Sequence, residues 1–373
     1  MKQESKYLKK EPKVVREVKD FLLTQSPVCP DFQEVKSTVR QLLSESDFKY
    51  ARLYLERIDS LENSFSAEQR NRLYKELAIA TSKDLNLGII DRTERALKLV
   101  RKIFGELVVI PPKYDRIPRP ARYDAFHQDL LGATGGIYKR KYQFTGTLED
   151  LICSFNCYHE GAKAGIDQDN GYTAINLAYL HDYLGVLGHG KEGWQETAEN
   201  LRLEIIQVVG DKIQAGESTG AQLYDWMYYT VAEAYLGLDQ YKEAIEWTRR
   251  AIDFSQKADS HTSKGGVQWK QETTARQWVQ LVELRNQVSL LQDDEKPDET
   301  ESGPNGSSSG FDSDQANEVI KELIGSRDAL DSVLIGKVGL GLSGGGFRAS
   351  FYHLGMLARL AELDVLRHVD LSL

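Results

Sequence analysis

From residue 13 to about residue 290, apolar side chains recur every three to four positions, and that periodicity admits little besides stacked helices. In STVRQLLSESDFKYARLYLERIDSL (37–61), Val39, Leu42, Leu43, Phe48, Ala51, Leu53, Leu55 and Ile58 fall on recurring faces, with a serine-rich turn between two helices. In TERALKLVRKIFGEL (93–107), Leu97, Val100, Ile103, Phe104 and Leu107 keep the same spacing. The stretch VVIPPKYDRIPRPARYD (108–124) interrupts the pattern, because its four prolines forbid a continuous helix. Helical spacing resumes near Phe126 and persists to Leu291.

A chain of 373 residues sets an expectation of two or three structural units. Its net charge of −9 argues against generic binding to a phosphate backbone, so nucleic acid is not an expected partner. No local basic patch stands out; LKKEPKVVR (8–16) reads as a solvated lead-in. The three cysteines, Cys29, Cys153 and Cys157, are too few and too odd in number for a disulfide scaffold. Cys153 and Cys157 lie one helical turn apart with His159 nearby, but no second pair of ligands accompanies them. They are read as reduced core residues, and no metal or cofactor is expected. No apolar run reaches the roughly 18 residues of a membrane span. The N-terminus MKQESKYLKKEPK lacks the apolar stretch of a signal peptide, so a cytoplasmic location is the default expectation.

Two stretches carry more specific information. In MYYTVAEAYLGLDQYKEAIEWTRRAI (227–252), Tyr228, Ala232, Tyr235, Tyr241, Ala244 and Ala251 fall where a tetratricopeptide repeat (TPR) places its large and small packing residues. Asp239 stands where that repeat has glycine, and the closing proline is missing. The stretch GGIYKRKYQFTGTLEDLICSFNCYHEGAKAGIDQDNGYTAINLAYL (135–180) resembles the TRAF-binding, repeat-containing regulatory region of the apoptosis signal-regulating kinases. The features that carry it are GGIYKR, TGTLEDL, the Tyr158…Gly161 pair and GYTAINLAYL. The resemblance spans residues 35–285 and implies an all-helical TPR-like array used for protein contacts. The kinase Gly-rich loop, Val-Ala-Ile-Lys and His-Arg-Asp motifs are absent from this chain.

After the array the composition changes. DDEKPDETESGPNGSSSGFDSD (293–314) is acidic and rich in Ser, Gly and Pro, and reads as a flexible linker. Its span as a coil would be about 25 Å. The segment QANEVIKELIGS (315–326) reads as a short amphipathic helix. GKVGLGLSGGGFRASFYHLGMLARLAELDVLRHVDLSL (336–373) then has a strand–loop–helix–strand pattern. Val338, Leu340 and Leu342 alternate with glycines, and Phe347, Phe351, Leu354, Leu357, Leu360 and Leu363 form one helical stripe. Three motifs overlap on these glycines. Gly339, Gly341 and Gly344 fit the dinucleotide fingerprint G-x-G-x-x-G, although the acid that would follow, Asp364, precedes the second strand. Gly341, Ser343 and Gly345 fit a G-x-S-x-G nucleophile elbow with Ser343 as nucleophile.

The third reading uses the whole stretch. LSGGGFRASFYHLGMLARLAEL resembles the first βα unit of patatin-like phospholipases, whose Gly-Gly-Gly-x-Arg loop forms the oxyanion hole. By that resemblance Gly344, Gly345 and Gly346 are the loop and Arg348 its arginine, with Ala349 where many members have glycine. Successive N–H groups of such a loop converge on one oxygen at a helix N-terminus. In that family the nucleophilic Ser follows the second strand and the catalytic Asp comes much later. The chain ends at HVDLSL, so the Ser–Asp dyad is expected to be absent and the chain itself inactive, as a fragment of a longer hydrolase. The reading expects a lead at 1–18, a TPR-like array at 19–291, a linker at 292–314 and an incomplete patatin-like α/β start at 315–373. Its fold class is mainly α, a helical-repeat solenoid followed by the first β-α-β elements of that domain. Its expected partners are a protein on the array and, for the parent enzyme, a phospholipid substrate with peripheral membrane association.

Overall fold

The helical period becomes fourteen α-helices in a computed structural model, which describes residues 11–61, 64–104, 124–258, 264–294, 311–325 and 346–362. In chain order they are α1 (Lys13–Leu23), α2 (Phe32–Ser44), α3 (Phe48–Ser60), α4 (Ala67–Lys83), α5 (Ile89–Phe104), α6 (Ala125–Thr145) and α7 (Leu148–Ala162). There follow α8 (Tyr172–Val186), α9 (Trp194–Thr219), α10 (Asp225–Gly237), α11 (Tyr241–Ala258), α12 (Lys264–Asp294), α13 (Ser313–Ile324) and α14 (Gly346–Glu362). No strand occurs among the described residues. The strands expected near 338–342 and 368–373 lie outside them, as does the proline-rich stretch up to residue 123.

Local chemistry fixes where the helices begin. Asp31 accepts from the Gln33 and Glu34 amides at the start of α2, and Asp47 from the Tyr50 amide at the start of α3. Ser66 and Gln69 form a reciprocal capping box on α4. Asp124 and Asp312 cap α6 and α13. Each such cap satisfies amides that the first turn leaves without partners, and is worth about 1 kcal/mol.

Once begun, the helices pair as neighbours. The hairpins α2/α3, α4/α5, α6/α7, α8/α9 and α10/α11 follow one another, and the second helix of each packs on the first helix of the next. This is the nearest-neighbour architecture of a helical-repeat array. The cores follow the same order. Val35, Leu42, Leu55, Ile58 and Leu77 fill the first, and Leu97, Leu130, Ile137 and Cys157 the second. Ile205, Tyr228, Ala244, Trp278 and Val319 belong to the third and largest. Cys153 and Cys157 lie in the second core, and burial raises both thiols, Cys153 to about 11. They behave as small apolar residues rather than nucleophiles.

The hairpin α10/α11 carries the TPR pattern as packing. Tyr228, Ala232, Tyr241, Ala244 and Ala251 are buried, the three alanines completely. Asp239, standing in for the repeat glycine, holds φ at +58°. A non-glycine residue there is strained, and its carboxylate is held by Arg285 Nη2 at 2.7 Å and by the Tyr241 hydroxyl at 3.2 Å.

Two boundaries differ from the sequence reading. Helix starts at Lys13, and Val14, Val15 and Val18 are buried against α2 and α3, so the end of the expected lead-in is array. The helical period read from residue 13 is thus the start of the array, and a boundary at residue 18 falls too late, within α1. The amphipathic helix α13, grouped by sequence with the C-terminal segment, packs on α11 and α12 through Ala316, Val319, Ile320 and Leu323. Its apolar stripe is a seat on the array.

Ala244 has no room for a larger side chain at the α10/α11 crossing. Ala244→Trp should destabilise the array by about 1–3 kcal/mol through overpacking, read as a lower urea midpoint.

Candidate functional site: the first-helix face of the array

Glycines decide where the polar side chains of this face go. A Cβ at Gly135 on α6 would come within 2.8 Å of the Tyr158 ring on α7, and one at Gly132 within 2.7 Å of the Tyr172 ring at the start of α8. A Cβ at Gly161 would meet Thr173 at 2.7 Å. The three helices therefore close up only because these positions carry no side chain. Ser154 Oγ bonds the Gly135 carbonyl at 2.8 Å, and Tyr158 and Tyr172 meet edge to face at 6.1 Å. A Cβ at Gly136 would lie 3.4 Å from the Tyr158 hydroxyl, 3.5 Å from Arg140 Nη1 and 3.7 Å from the Tyr172 hydroxyl. The GGIYKR run is thus a seat for two tyrosines followed by two cations.

Lys139 turns toward α8 and α12. Its Nζ donates to Asn176 Oδ1 at 2.7 Å and to Gln277 Oε1 at 2.9 Å. Gln277 Nε2 donates to Glu233 Oε1 at 2.6 Å, and Trp278 Nε1 to Glu233 Oε2 at 3.1 Å. Gln280 Oε1 accepts from the Tyr179 hydroxyl and from Gln143. This polar seam ties α12 across α6, α8 and α10, the first helices of three successive hairpins. Trp278 is fully buried in it. Burial lowers Lys139 to about 8 and raises Glu233, whose bonds from Gln277 and Trp278 pull the other way.

Arg140 turns the opposite way, toward α4 and α5, and donates to Ser82 Oγ at 2.8 Å. Lys83 closes the end of α4 over the Phe48 ring at 5.2 Å, and Arg92 begins α5 with a 3.5 Å bond to the Asp84 carbonyl. Burial and mutual repulsion depress these cations. Lys83 falls to about 7, by burial first and the nearby Arg140 second, with Glu76 opposing. Arg140 and Arg92 are lowered by burial, Arg140 also by Arg92.

The residues singled out for oxyanion chemistry fall elsewhere. Gly339, Gly341, Ser343, Gly344 and Gly345 lie outside the described residues. Gly346 and Arg348 sit in the first turn of α14. Sequence reasoning missed Glu233, Asn176 and the whole of α12 as parts of one site, and saw Lys139 and Arg140 only as letters of a motif.

Residues 47–181 match the family model described as Tetratricopeptide Repeats-Sensor. Over that stretch the helical hairpins are TPR-like. The matched stretch begins at the cap of α3 and ends within α8, so it holds Lys83, Arg92, Lys139 and Arg140 together. No curated protein and no solved structure matches the chain.

This geometry has two measurable outcomes. Trp278→Ala should destabilise the protein by about 3–5 kcal/mol, and amide exchange should show α12 losing protection while α2 and α3 keep theirs. Lys83→Met tests the depressed lysine. With a folded value of about 7 against 10.5 unfolded, wild-type stability should gain from this group as pH rises between those values. The variant should therefore lead by most below about pH 7 and lose its lead toward about pH 10 in urea melts.

Proposed function

We propose that this chain is a regulatory module, a tetratricopeptide-type array that binds a protein partner, joined to the opening of a patatin-like lipid acyl hydrolase domain. The observation that carries the reading is α14. It begins within the Gly-Gly-Gly-x-Arg motif, and it exposes Phe351, Tyr352 and Leu354 by 71%, 71% and 67%. An apolar stripe left in solvent fits a helix built to cover a parallel sheet. The motif at its start supports the choice of domain: Gly344, Gly345 and Gly346 offer backbone donors at a helix N-terminus, with Arg348 in the same turn as the last of them.

The array supplies the partner-binding half of the reading. Helical solenoids present long surfaces made of one helix from each repeat. Here α12 lies on the face formed by α6, α8 and α10. A partner segment that needs that face must displace α12 or bind beside it.

The hydrolase half is tested by transplanting residues 336–373 in place of the matching segment of an active patatin-like enzyme. Phospholipid turnover should survive the exchange. Gly345→Val or Arg348→Ala should then lower it by about 10²–10³, the usual effect of losing an oxyanion donor. A chimera indifferent to both changes would make the glycines a turn and the chain a scaffold. The 373-residue chain by itself is expected to give no ester hydrolysis, and Ser343→Ala to change nothing, since the elbow reading alone places the nucleophile there.

A further inference from the structure

We propose that Lys83, Arg92 and Arg140 form a binding site for a small soluble oxyanion of the phosphate class, free phosphate or the phosphate group of a metabolite. The inference rests on the array alone and is independent of the hydrolase reading.

The first ground is an imbalance of charge. The arginines set deepest in this array each hold a carboxylate: Arg52 holds Asp84 and Glu56, Arg202 holds Asp182, and Arg285 holds Asp239. Arg92 and Arg140 are half-buried too, yet among the described residues neither forms an ion pair. The acids nearest them are engaged elsewhere. Asp84 is bound by Arg52 and by Asn86, and Glu76 by Lys75. The Nε atoms of both Arg92 and Arg140 are buried without a hydrogen-bond partner. Leaving guanidinium donors unsatisfied in a half-buried place is unfavourable, and here the two bond to Ser82 Oγ and to the Asp84 carbonyl, the residues on either side of Lys83.

The second ground is the set of neutral donors around them. Ser82 Oγ, whose proton goes to the Ile79 carbonyl, accepts from Arg140 and orients it, and the Tyr158 and Tyr172 hydroxyls converge with Arg140 Nη1 on the space beside Gly136. A hydroxyl pair and two planar forks make a donor set suited to a tetrahedral oxyanion, which accepts several bonds at once. Depressed values at Lys83, Arg92 and Arg140 agree with cations recessed and set close together. Tyr172, whose hydroxyl meets this group, is 37% exposed. The cations are recessed between α4, α5 and α6 rather than displayed on a flat face. The chain as a whole is acidic. Both points favour a small dissolved anion over a membrane surface.

The test uses the full chain at neutral pH, with calorimetry and thermal melts in inorganic phosphate and in pyrophosphate, against sodium chloride of matched ionic strength. Saturable heat and a rise in melting temperature above the chloride control are expected. Arg140→Gln and Arg92→Gln should each weaken binding about tenfold or more. Both should keep the helical circular dichroism and melt no lower than wild type without ligand, because each removes a repulsive charge. If Arg140→Gln misfolds, Arg92→Gln alone carries the comparison. Absence of any anion-specific shift, or binding unchanged in the folded variants, would overturn the site. So would binding confined to phosphatidylcholine vesicles doped with phosphatidate, with none to the dissolved anions.

Discussion

Close approach at residues that lack a side chain sets the spacing of this array. A Cβ at Gly185 would stand 2.2 Å from the Trp194 ring, and one at Gly237 would stand 2.2 Å from Arg202 Nε. Gly135 makes the same allowance for Tyr158. In each case a ring or guanidinium on one helix lies against the backbone of another. The contact at Gly237 reaches furthest, because it lets Arg202 run across α10 to Asp182, both of them almost fully buried. Removing one partner of such a pair is far more harmful than replacing both. The pair fixes α8, α9 and α10 relative to one another, and the bed of α12 is made from two of these.

On that bed, helix docking is done by polar groups as much as by apolar area. Gln277 stands between Lys139 and Glu233 and bonds to both. An amide is suited to this place, since it offers an acceptor to the ammonium and a donor to the carboxylate. A buried network of this kind fixes register, because a shift of α12 by one residue would take Gln277 away from both charges. Trp278 adds the apolar mass and also spends its N–H on Glu233. The long helix is thereby specified as the occupant of the face in a way that Leu-rich packing alone would not achieve.

Much of the helical fold was legible in the chain. Helical spacing was readable wherever one face stays buried, as at Leu97 and Val100 or Tyr228 and Ala232, because burial enforces the period locally. The hairpin 227–252 was readable for the same reason, and Asp239 in the glycine position is explained by a left-handed turn held by Arg285. The site was mostly not legible. Its pairs join residues far apart in sequence: Ser82 with Arg140, Asn176 with Lys139, Glu233 with Trp278. The members of the cation group come from three separate helices or their ends, so charge counting along the chain passes over it. GGIYKR was visible as a pattern, but its reason needed Tyr158 and Tyr172 brought beside it. The period was readable from Lys13, but the charge around Val14, Val15 and Val18 placed them in the lead rather than in the array.

The docking of α13 changes what the acidic stretch between 295 and 310 is for. The elements that flank it, α12 ending at Asp294 and α13 preceded by Phe311, are both seated on the array. Twenty residues by numbering (326–345) separate the end of α13 at Gly325 from the start of α14 at Gly346. A chain of that length can span at most about 70 Å, at 3.3–3.6 Å per residue. Whatever α14 helps to build is held within that radius of α11 and α12.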